Sequence, residues 1–445
     1  MTAPESTATS NTSYQSLDYK RLGEAVTEAL SGVDAAVVDS QEVPQLIKKL
    51  SQAVEPAVIE IRRFLHAHPE PSLKEVETAR TITHQLEALG IPYYMPYENS
   101  VVATIKGTAP GAYDSQSHPR KRLLMRADID ALPVQEETGA PYASQTPGIM
   151  HACGHDCHAA MLLGAAAILS HIAPVLCGEV RLVFQPAEEN STGASMMVKA
   201  GVCDGVDGAY GCHIWSEVPA GKVSLEAGPR MANADWWRID IKGKSAHGAL
   251  PHRGADAILA GAAIIEELQT IVSRSVSPFE PAVVTVGQFH GGTARNVVAG
   301  SAWLEGTMRT SNTEIHARMP LLMKRVAEET AAALGCEATV SQYDLGSWAV
   351  VNDAHASQIA ARAAEAVLGK DAIARYRGSM PGEDFSEYLF EVPGVFVFLG
   401  CANPAKGPVH PQHSCFYNPD ETVLKNGVAL EAAYAWEFLG EGLAH

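Results

Sequence analysis

The hydrophobic and polar positions in the first half of the chain follow two alternating periods. Apolar residues recur at helical spacing from Gln45 until His68-Pro69 ends the run. Further helical runs and short apolar runs typical of buried strands follow: the helices Lys74–Leu89 and Ala159–Ile172, and the strands Val101–Lys106, Leu123–Asp128, Glu179–Gln185 and Gly208–Trp215. Strands alternating with helices predict an α/β fold with a mixed, mostly parallel sheet covered by helices. Functional groups are then expected at the carboxyl ends of the strands.

The pattern changes near Pro229. Shorter strands, two of them alternating as if half-exposed, are mixed there with two helices: Ala234–Ile241, Ala282–Phe289, Ser301–Arg309 and Glu337–Tyr343 as strands, and Ala255–Val272 and Glu314–Leu334 as helices. This predicts an inserted, smaller α+β domain. The later runs Asp353–Leu368, Val395–Leu399 and Asp420–Gly440 would return to the first sheet. We therefore expect an N-terminal tail and extra helix at 1–44, the main domain at 45–229 and 346–445, and the inserted domain at 230–345.

Composition and charge narrow the class of protein. The chain has 445 residues, of which 46% are hydrophobic and 19% charged, as is ordinary for a globular protein. A net charge of -18 argues against a nucleic-acid partner, which would need a basic surface. The eight scattered cysteines are typical of a reducing compartment. Residues 1–18 read as a disordered tail and Tyr19–Val38 as a modest amphipathic helix. With no signal peptide or membrane span visible, we expect a cytoplasmic location and no membrane partner.

Potential metal ligands are concentrated between Met150 and His158, ahead of the Ala-rich helix. Cys153 and His155 stand two positions apart across Gly154, so in an extended turn both side chains can face one ion. A thiolate and an imidazole match the preferences of Zn²⁺, and a complete zinc site takes three or four protein ligands. The remaining ligands must therefore come from distant parts of the chain.

Polar residues directly follow the predicted strands, where an α/β fold places its functional groups: Asp128, Asp130, Glu188, Glu189 and His213. A Glu pair on its own usually marks a solvated loop end. Here the neighbouring strands also end in candidate ligands, which favours a functional pair. Adjacent residues of an extended segment point to different sides. One glutamate can then bind a metal while the other addresses a water on that metal.

Nine stretches of the chain carry a resemblance to a known family: 125–133, 150–158, 184–189, 211–214, 245–248, 291–298, 306–310, 382–385 and 410–416. In this order they resemble the dinuclear metal amidohydrolases, which include hippurate hydrolases, N-acyl-amino-acid amidohydrolases and auxin-conjugate hydrolases. These form a branch of the aminoacylase and metal carboxypeptidase superfamily. The resemblance covers the chain from about residue 60 to the end. It implies a zinc-exopeptidase-like catalytic domain with an inserted lid and dimerisation domain.

The resemblance also implies roles for individual residues. It assigns two divalent ions, Zn²⁺ or Mn²⁺, to the metal ligands Cys153, His155, Glu189, His213 and His413. Glu188 becomes the general base in the hydrolysis of an N-acyl amino acid, a small-molecule substrate. His247 would help to stabilise the oxyanion, and Asn296 and Arg309 would hold the amino-acid carboxylate, although Arg309 could equally be a structural ion-pair partner. The resemblance further implies a homodimer, built through the inserted domain, in which His247 completes the partner's site.

Several alternatives remain open at this point. The wider superfamily commonly has a ligand histidine two positions before the strand-end Asp128, where this chain has Arg126. That departure leaves open which ligand bridges the metals and whether Asp128 orients a ligand or caps a turn. The remaining candidates in these stretches we interpret as structural or supporting: His151, Cys157, His158 and His410. A carboxypeptidase or dipeptidase, a hydrolase with Cys153 or Cys157 as nucleophile, and a silent binding protein are the competing hypotheses.

Overall fold

The structure is a computed structural model that describes residues 16–31 and 39–441. Its helices are α1 (Arg21–Ala29), α2 (Val43–Ala67), α3 (Val76–Ala88), α4 (His155–His171), α5 (Gly193–Lys199), α6 (Ala257–Thr270), α7 (Thr313–Ala333), α8 (Ala354–Leu368), α9 (Ser386–Glu391) and α10 (Leu424–Gly440). Its strands are β1 (Tyr93–Tyr94), β2 (Val101–Lys106), β3 (Arg122–Asp128), β4 (Glu179–Gln185), β5 (Gly208–Pro219), β6 (Val223–Ser224), β7 (Gly228–Met231), β8 (Ala234–Lys242), β9 (Ala246–His247), β10 (Ala282–Gly291), β11 (Val297–Val298), β12 (Ser301–Thr310), β13 (Glu337–Ser347), β14 (Val350–Asn352) and β15 (Gly394–Ala402).

Two of the predicted N-terminal features lie partly outside this range. Most of the predicted tail, 1–18, and the end of the predicted helix Tyr19–Val38 fall on residues that the structure does not describe. Helix α1 lies within the described part of that predicted helix. Among the described residues, no helix combines the length and the apolar character that crossing a bilayer requires.

The chain divides into two compact units. The first unit comprises Met1–Leu225, His355–Tyr376 and Val392–His445, and the second comprises Glu226–Ala354 and Arg377–Glu391. The predicted inserted domain, 230–345, lies within the second unit, which extends beyond it on both sides.

The first unit contains a seven-stranded sheet in the order β1-β2-β4-β3-β5-β15-β6. Its four central strands, β4, β3, β5 and β15, are parallel, while β1, β2 and β6 pair antiparallel at the two edges. The central strands are buried almost throughout, as parallel strands between helices must be. The predicted mixed, mostly parallel sheet is therefore confirmed.

Helices α2, α4 and α10 pack against one another over this sheet. Every residue of α4 from His155 to Leu169 is buried, which explains why this helix is apolar on all sides. The helix begins at His155 rather than at Ala159, so the prediction for its start was wrong. Our prediction treated the polar residues as a turn, but they form the first turn of the helix and lie in the interior.

The second unit is an α+β structure with its own core. Its four-stranded antiparallel sheet has the order β10-β12-β8-β13, and α6 and α7 cover it. Trp237, Ile239, Leu304 and Met319 are among the buried residues of this core. Strand β10 stands at one edge, paired only with β12 among the described residues.

Candidate metal centre

The strands of the first unit bring the predicted site residues to one edge of the sheet. Asp128 at the end of β3 lies opposite Gln185 at the end of β4, and β5 pairs with the other side of β3 and carries His213. Glu188 and Glu189 follow β4 directly. These groups come together because parallel neighbours end at the same edge.

All five predicted ligands meet there. Cys153 Sγ lies 3.5 Å from His213 Nε2. Glu189 Oε1 lies 3.8 Å from His155 Nε2 and 3.5 Å from His413 Nε2. The donor atoms of Cys153, His155 and His213 all lie within 4.8 Å of one another, as do those of Cys153, Glu189 and His413. Residues separated by up to 260 positions thus form one compact set of sulfur, nitrogen and oxygen donors.

The hydrogen bonds of the two buried histidines leave their Nε2 atoms directed at this set. His213 Nδ1 donates to the carbonyl of Ile214 at 2.7 Å, and His155 Nδ1 donates to Asp130 Oδ1 at 3.1 Å. Among the described residues, neither His155 Nε2 nor Glu189 Oε1 has a hydrogen-bond partner, although both atoms are buried. Buried polar atoms rarely remain unpaired, and metal-binding histidines usually donate their second nitrogen in this way. The residues present therefore fit a divalent metal site.

The electrostatics of the cluster favour a bound cation. Burial lowers the pKa of His155, but the carboxylates of Asp128 and Asp130 raise it more, to about 10. Burial, with Asp130 and Asp128 nearby, raises the pKa of Glu189 to about 7, although His155 opposes that rise. Burial, together with His158, keeps the pKa of His213 well below its usual range, so this imidazole is neutral and able to coordinate. The carboxylates that raise the pKa of His155 carry negative charge that a bound metal ion would neutralise in place of that proton.

Gly154 sets the direction of the first two ligands. It caps α4 with a left-handed backbone at φ +97°, and a Cβ there would lie 2.5 Å from Ile214 Cγ2. Only glycine adopts this conformation readily and fits this space. Cys153 and His155 thus approach the site across a left-handed cap rather than along the extended turn that we predicted.

Asp128 connects two side chains, Arg126 and His158, that surround the predicted ligands. It accepts hydrogen bonds from Arg126 Nη1 at 2.6 Å and from His158 Nδ1 at 2.5 Å. The second ring nitrogen of His158 accepts the backbone N–H of Ile214 at 2.9 Å, so both of its nitrogens are engaged. Asp128 therefore orients His158, and Arg126 is the ion-pair partner of Asp128.

The other supporting candidates differ in environment. Cys157 is fully buried, and burial with Asp156 nearby holds the pKa of its thiol well above the usual range. His410 packs its ring against Phe416 with centroids 5.3 Å apart. His151 is buried in the first unit, and burial lowers its pKa to about 4.

The predicted substrate-binding residues lie in the second unit. His247 ends β9, pairs with Val297 of β11 and is exposed, and its Nδ1 accepts the N–H of Ala249 at 3.1 Å. Asn296 stands beside it, since its carbonyl accepts the N–H of Gly248 at 2.8 Å. Arg309 on β12 is partly buried over the ring of Trp236, 5.6 Å from its centroid. The structure places His247 and Asn296 next to each other, and the roles of all three residues remain predictions.

Our prediction assigned no role to Asp130, although this residue joins two of the predicted ligands. Its Oδ1 accepts from His155 Nδ1, and its Oδ2 accepts the N–H of Glu189 at 3.1 Å and the hydroxyl of Ser72 at 2.6 Å. The available signal was its position two residues beyond Asp128, on the same side of an extended chain.

The chain is similar to known proteins over most of its length. The model of Peptidase family M20/M25/M40 matches residues 124–437. An N-acyl-L-amino acid amidohydrolase of Geobacillus stearothermophilus is 44% identical over 308 residues, which cover 69% of this chain and 80% of that protein. A protein of Saccharolobus solfataricus named thermostable carboxypeptidase 1 is 34% identical over 400 residues, covering 88% of this chain and 99% of its own.

A solved structure of the same family is also similar to this chain. A Bacillus subtilis protein described as a dinuclear metal binding peptidase from the M20 family is 36% identical, with a TM-score of 0.76 over 87% of this chain and 99% of its own. The resemblance seen in the sequence and the prediction of an amide-bond hydrolase are confirmed. On the residues matched and on these identities, the chain belongs to Peptidase family M20/M25/M40.

Proposed function

We propose that this protein is a metal-dependent amidohydrolase that cleaves the amide bond of N-acyl-L-amino acids. The observation that carries the proposal is the convergence of Cys153, His155, Glu189, His213 and His413 beside a second glutamate, Glu188. A site that only bound metal would have no need of a base next to its ligands. A relative named as an N-acyl-L-amino acid amidohydrolase supports the substrate class.

The five ligands would hold two divalent ions, Zn²⁺ or Mn²⁺. Thiolate and imidazole favour Zn²⁺, and a carboxylate between two histidines suits either ion. The dinuclear peptidase from Bacillus subtilis supports the number of ions. When bound, the ions would supply a Lewis acid that lowers the pKa of a water and polarises the scissile carbonyl.

Glu188 would act as the general base. Its side chain is buried, and its Oε2 lies 3.9 Å from His155 Nε2, next to the proposed ligands. From there it would accept a proton from the attacking water and return that proton to the leaving amine. Glu189, whose Oε1 lies between His155 and His413, would remain a ligand.

The second unit would complete the site as an inserted lid. His247 would donate to the developing oxyanion, while Asn296 and Arg309 would hold the substrate carboxylate. Arg309 can do so because a guanidinium pairs well with a carboxylate, even though its present partners are the carbonyls of Asp235 and Met308.

We also propose a homodimer built through this unit. The outer edge of β10 has no partner strand among the described residues, and unpaired edges invite pairing with another chain. Phe289 of β10 is 37% exposed, and Ile258 and Leu259 of α6, which packs against β10, are 41% and 57% exposed. An exposed apolar group beside an open strand edge is typical of a surface that a second copy covers.

A carboxypeptidase is the second candidate, because a relative that is 34% identical over 400 residues carries that name. A cysteine nucleophile is less compatible with the structure, since the Cys157 thiol is buried and its pKa is raised. Cys153 Sγ instead lies among the ligands, close to His213.

A substrate panel tests the proposal. Protein stripped with a chelator is reloaded with Mn²⁺ or Zn²⁺ and assayed on N-acetyl, N-benzoyl and N-indoleacetyl amino acids and on dipeptides. We expect no activity before reloading and faster turnover of the N-acyl amino acids afterwards. Turnover of peptides alone would favour the carboxypeptidase. Activity that survives chelation but not thiol alkylation would overturn the metal mechanism.

A further inference from the structure

A buried carboxylate outside the ligand set holds the backbone next to the proposed base. Glu75 stands just before α3 and is fully buried. Its Oε1 accepts the backbone N–H of Ala187 at 2.8 Å and that of Leu73 at 3.0 Å. Its Oε2 accepts from Asn99 Nδ2 at 2.8 Å. Glu75 is therefore fixed at both oxygens and directed at the residue that precedes Glu188.

Ala187 needs such support because its backbone is unusual. Its φ is +54°, a left-handed conformation that costs a residue with a Cβ free energy and persists where its surroundings impose it. The turn is closed on its other side by the N–H of Gly193, which donates to the Ala187 carbonyl at 3.0 Å. A Cβ on Gly193 would lie 1.6 Å from the Pro186 carbonyl oxygen, so this approach requires glycine. The direction in which Glu188 leaves the strand is set at Ala187.

The other end of the acid pair is held in the same way. The N–H of Glu189 donates to Asp130 Oδ2 at 3.1 Å, and that oxygen also accepts the hydroxyl of Ser72. Ser72 and Glu75 belong to one short segment between α2 and α3, so this segment holds the backbone before Glu188 directly and the backbone after it through Asp130. The amides before and after the proposed base are thus both anchored on buried carboxylates.

We propose that Glu75 is a positioning residue that holds the Ala187 backbone and so directs Glu188 at the water it deprotonates. The inference rests on the proposed function, in which Glu188 is the base. It assigns to Glu75 an effect on turnover and none on metal binding, since Glu75 contacts no ligand of the proposed metals. Asp130, by contrast, touches the ligand His155 directly.

Two substitutions of Glu75 test this in the metal-loaded enzyme. In Glu75→Ala the N–H of Ala187 loses its acceptor, so backbone amide exchange in 186–193 should rise. A misplacement of about 1 Å can cost ~100-fold in rate, so we expect kcat to fall by about 10- to 100-fold, with KM nearly unchanged. The metal content should remain that of the wild type. In Glu75→Gln the amide oxygen can still accept both N–H groups while Asn99 turns its amide, so exchange and kcat should largely recover.

Glu70→Ala is the matched control. Glu70 lies in the same segment and is a carboxylate that caps α3, accepting from the N–H groups of Glu77 and Thr78. Its loss should lower thermal stability without raising exchange in 186–193. If Glu75→Ala does not fold, Asn99→Ala loosens the same carboxylate and should give a smaller change of the same kind.

Each outcome bears on the inference. The acidic limb of the kcat/KM profile reports the base in the free enzyme and should move in Glu75→Ala but not in Glu70→Ala. If amide exchange in 186–193 is unchanged in Glu75→Ala, Glu75 does not hold the Ala187 backbone. If exchange rises while kcat and the pH profile stay unchanged, Glu75 holds that backbone but does not position the base. Failure of the proposed function has a different signature: Glu188→Gln would be as active as the wild type, while the exchange measurement would still report on Glu75.

Discussion

Two adjacent glutamates receive different environments at the end of β4. Glu189 Oε1 lies 3.8 Å from His155 Nε2 and 3.5 Å from His413 Nε2, whereas Glu188 Oε2 lies 3.9 Å from His155 Nε2. The backbone produces the difference, because Ala187 turns the chain in a left-handed conformation just before the pair. In the proposed mechanism, one residue type thus supplies a ligand and a base at neighbouring positions.

The variant Glu188→Gln tests this division. The amide keeps the shape of the side chain but cannot accept a proton from the water. We expect a loss of turnover of ~100-fold or more, the usual contribution of a general base. Elemental analysis should still find the wild-type metal content. Loss of metal from this variant would make Glu188 a ligand and contradict the assignment.

The two cysteines near the start of α4 offer a second test. Cys153→Ser should weaken metal binding strongly, because a hydroxyl is a much poorer ligand than a thiolate. Cys157→Ser should keep its metal and its activity. It should lose only stability, by about 1–3 kcal/mol for a buried hydroxyl that has lost its hydration. Competition with a chromogenic chelator measures the first effect and thermal unfolding the second. Equal loss of activity in both, with metal retained, would support a cysteine nucleophile.

At the scale of elements, α10 carries a group that links stability to pH. Glu431 is 3% exposed, and burial raises the pKa of its carboxyl well above the usual range. The buried polar groups that interact with it are Cys212 and Tyr210, which are not cations. A folded-state pKa above the unfolded value, about 4.3, means that stability is complete below that pH and is lost as the pH rises towards the folded value.

Glu431→Gln should remove this dependence. The amide is neutral in the folded and the unfolded chain, so the difference in melting temperature between variant and wild type should shift in favour of the variant from pH 5 to pH 8. The quantity to measure is how this difference in melting temperature changes with pH, because all other titrating groups are the same in both proteins. A difference that stays constant over this range would show that Glu431 is not held neutral in the fold.

The elements that sequence could predict are those that carry their own periodicity. Strands β2 and β4 match the predicted Val101–Lys106 and Glu179–Gln185, because a buried strand is a continuous apolar run. The short strands β1, β6, β7, β9, β11 and β14 were not predicted, since two to four residues become a strand only through their partner.

The candidate site divides in the same way. Motifs indicated the predicted ligands, but the residues that hold the surrounding backbone in place could not be predicted from the sequence. Glu75 gave no signal, because its role depends on an amide 112 positions away. The left-handed cap at Gly154 lies against Ile214, so close that a Cβ would not fit, and no local pattern contains this contact.

At the scale of the whole molecule, the proposed dimer makes a quantitative prediction. If His247 of one subunit completes the site of the other, homodimers of Glu188→Gln and of His247→Ala should both be inactive. A mixed dimer would contain one site with both defects and one site with none. Random co-refolding of equal amounts makes half of the dimers mixed, and half of their sites are whole, so about a quarter of the wild-type activity should return.

The measurement needs proof that mixed dimers have formed. Native mass spectrometry distinguishes them if one variant carries an isotopic label, and each variant refolded alone provides the baseline. Recovery that rises and falls with the mixed fraction, as the ratio of the two variants is changed, would tie the activity to the mixed species. If mixed dimers are present and no activity returns, His247 acts within its own chain or takes no part in the reaction, and the proposal of a shared site fails.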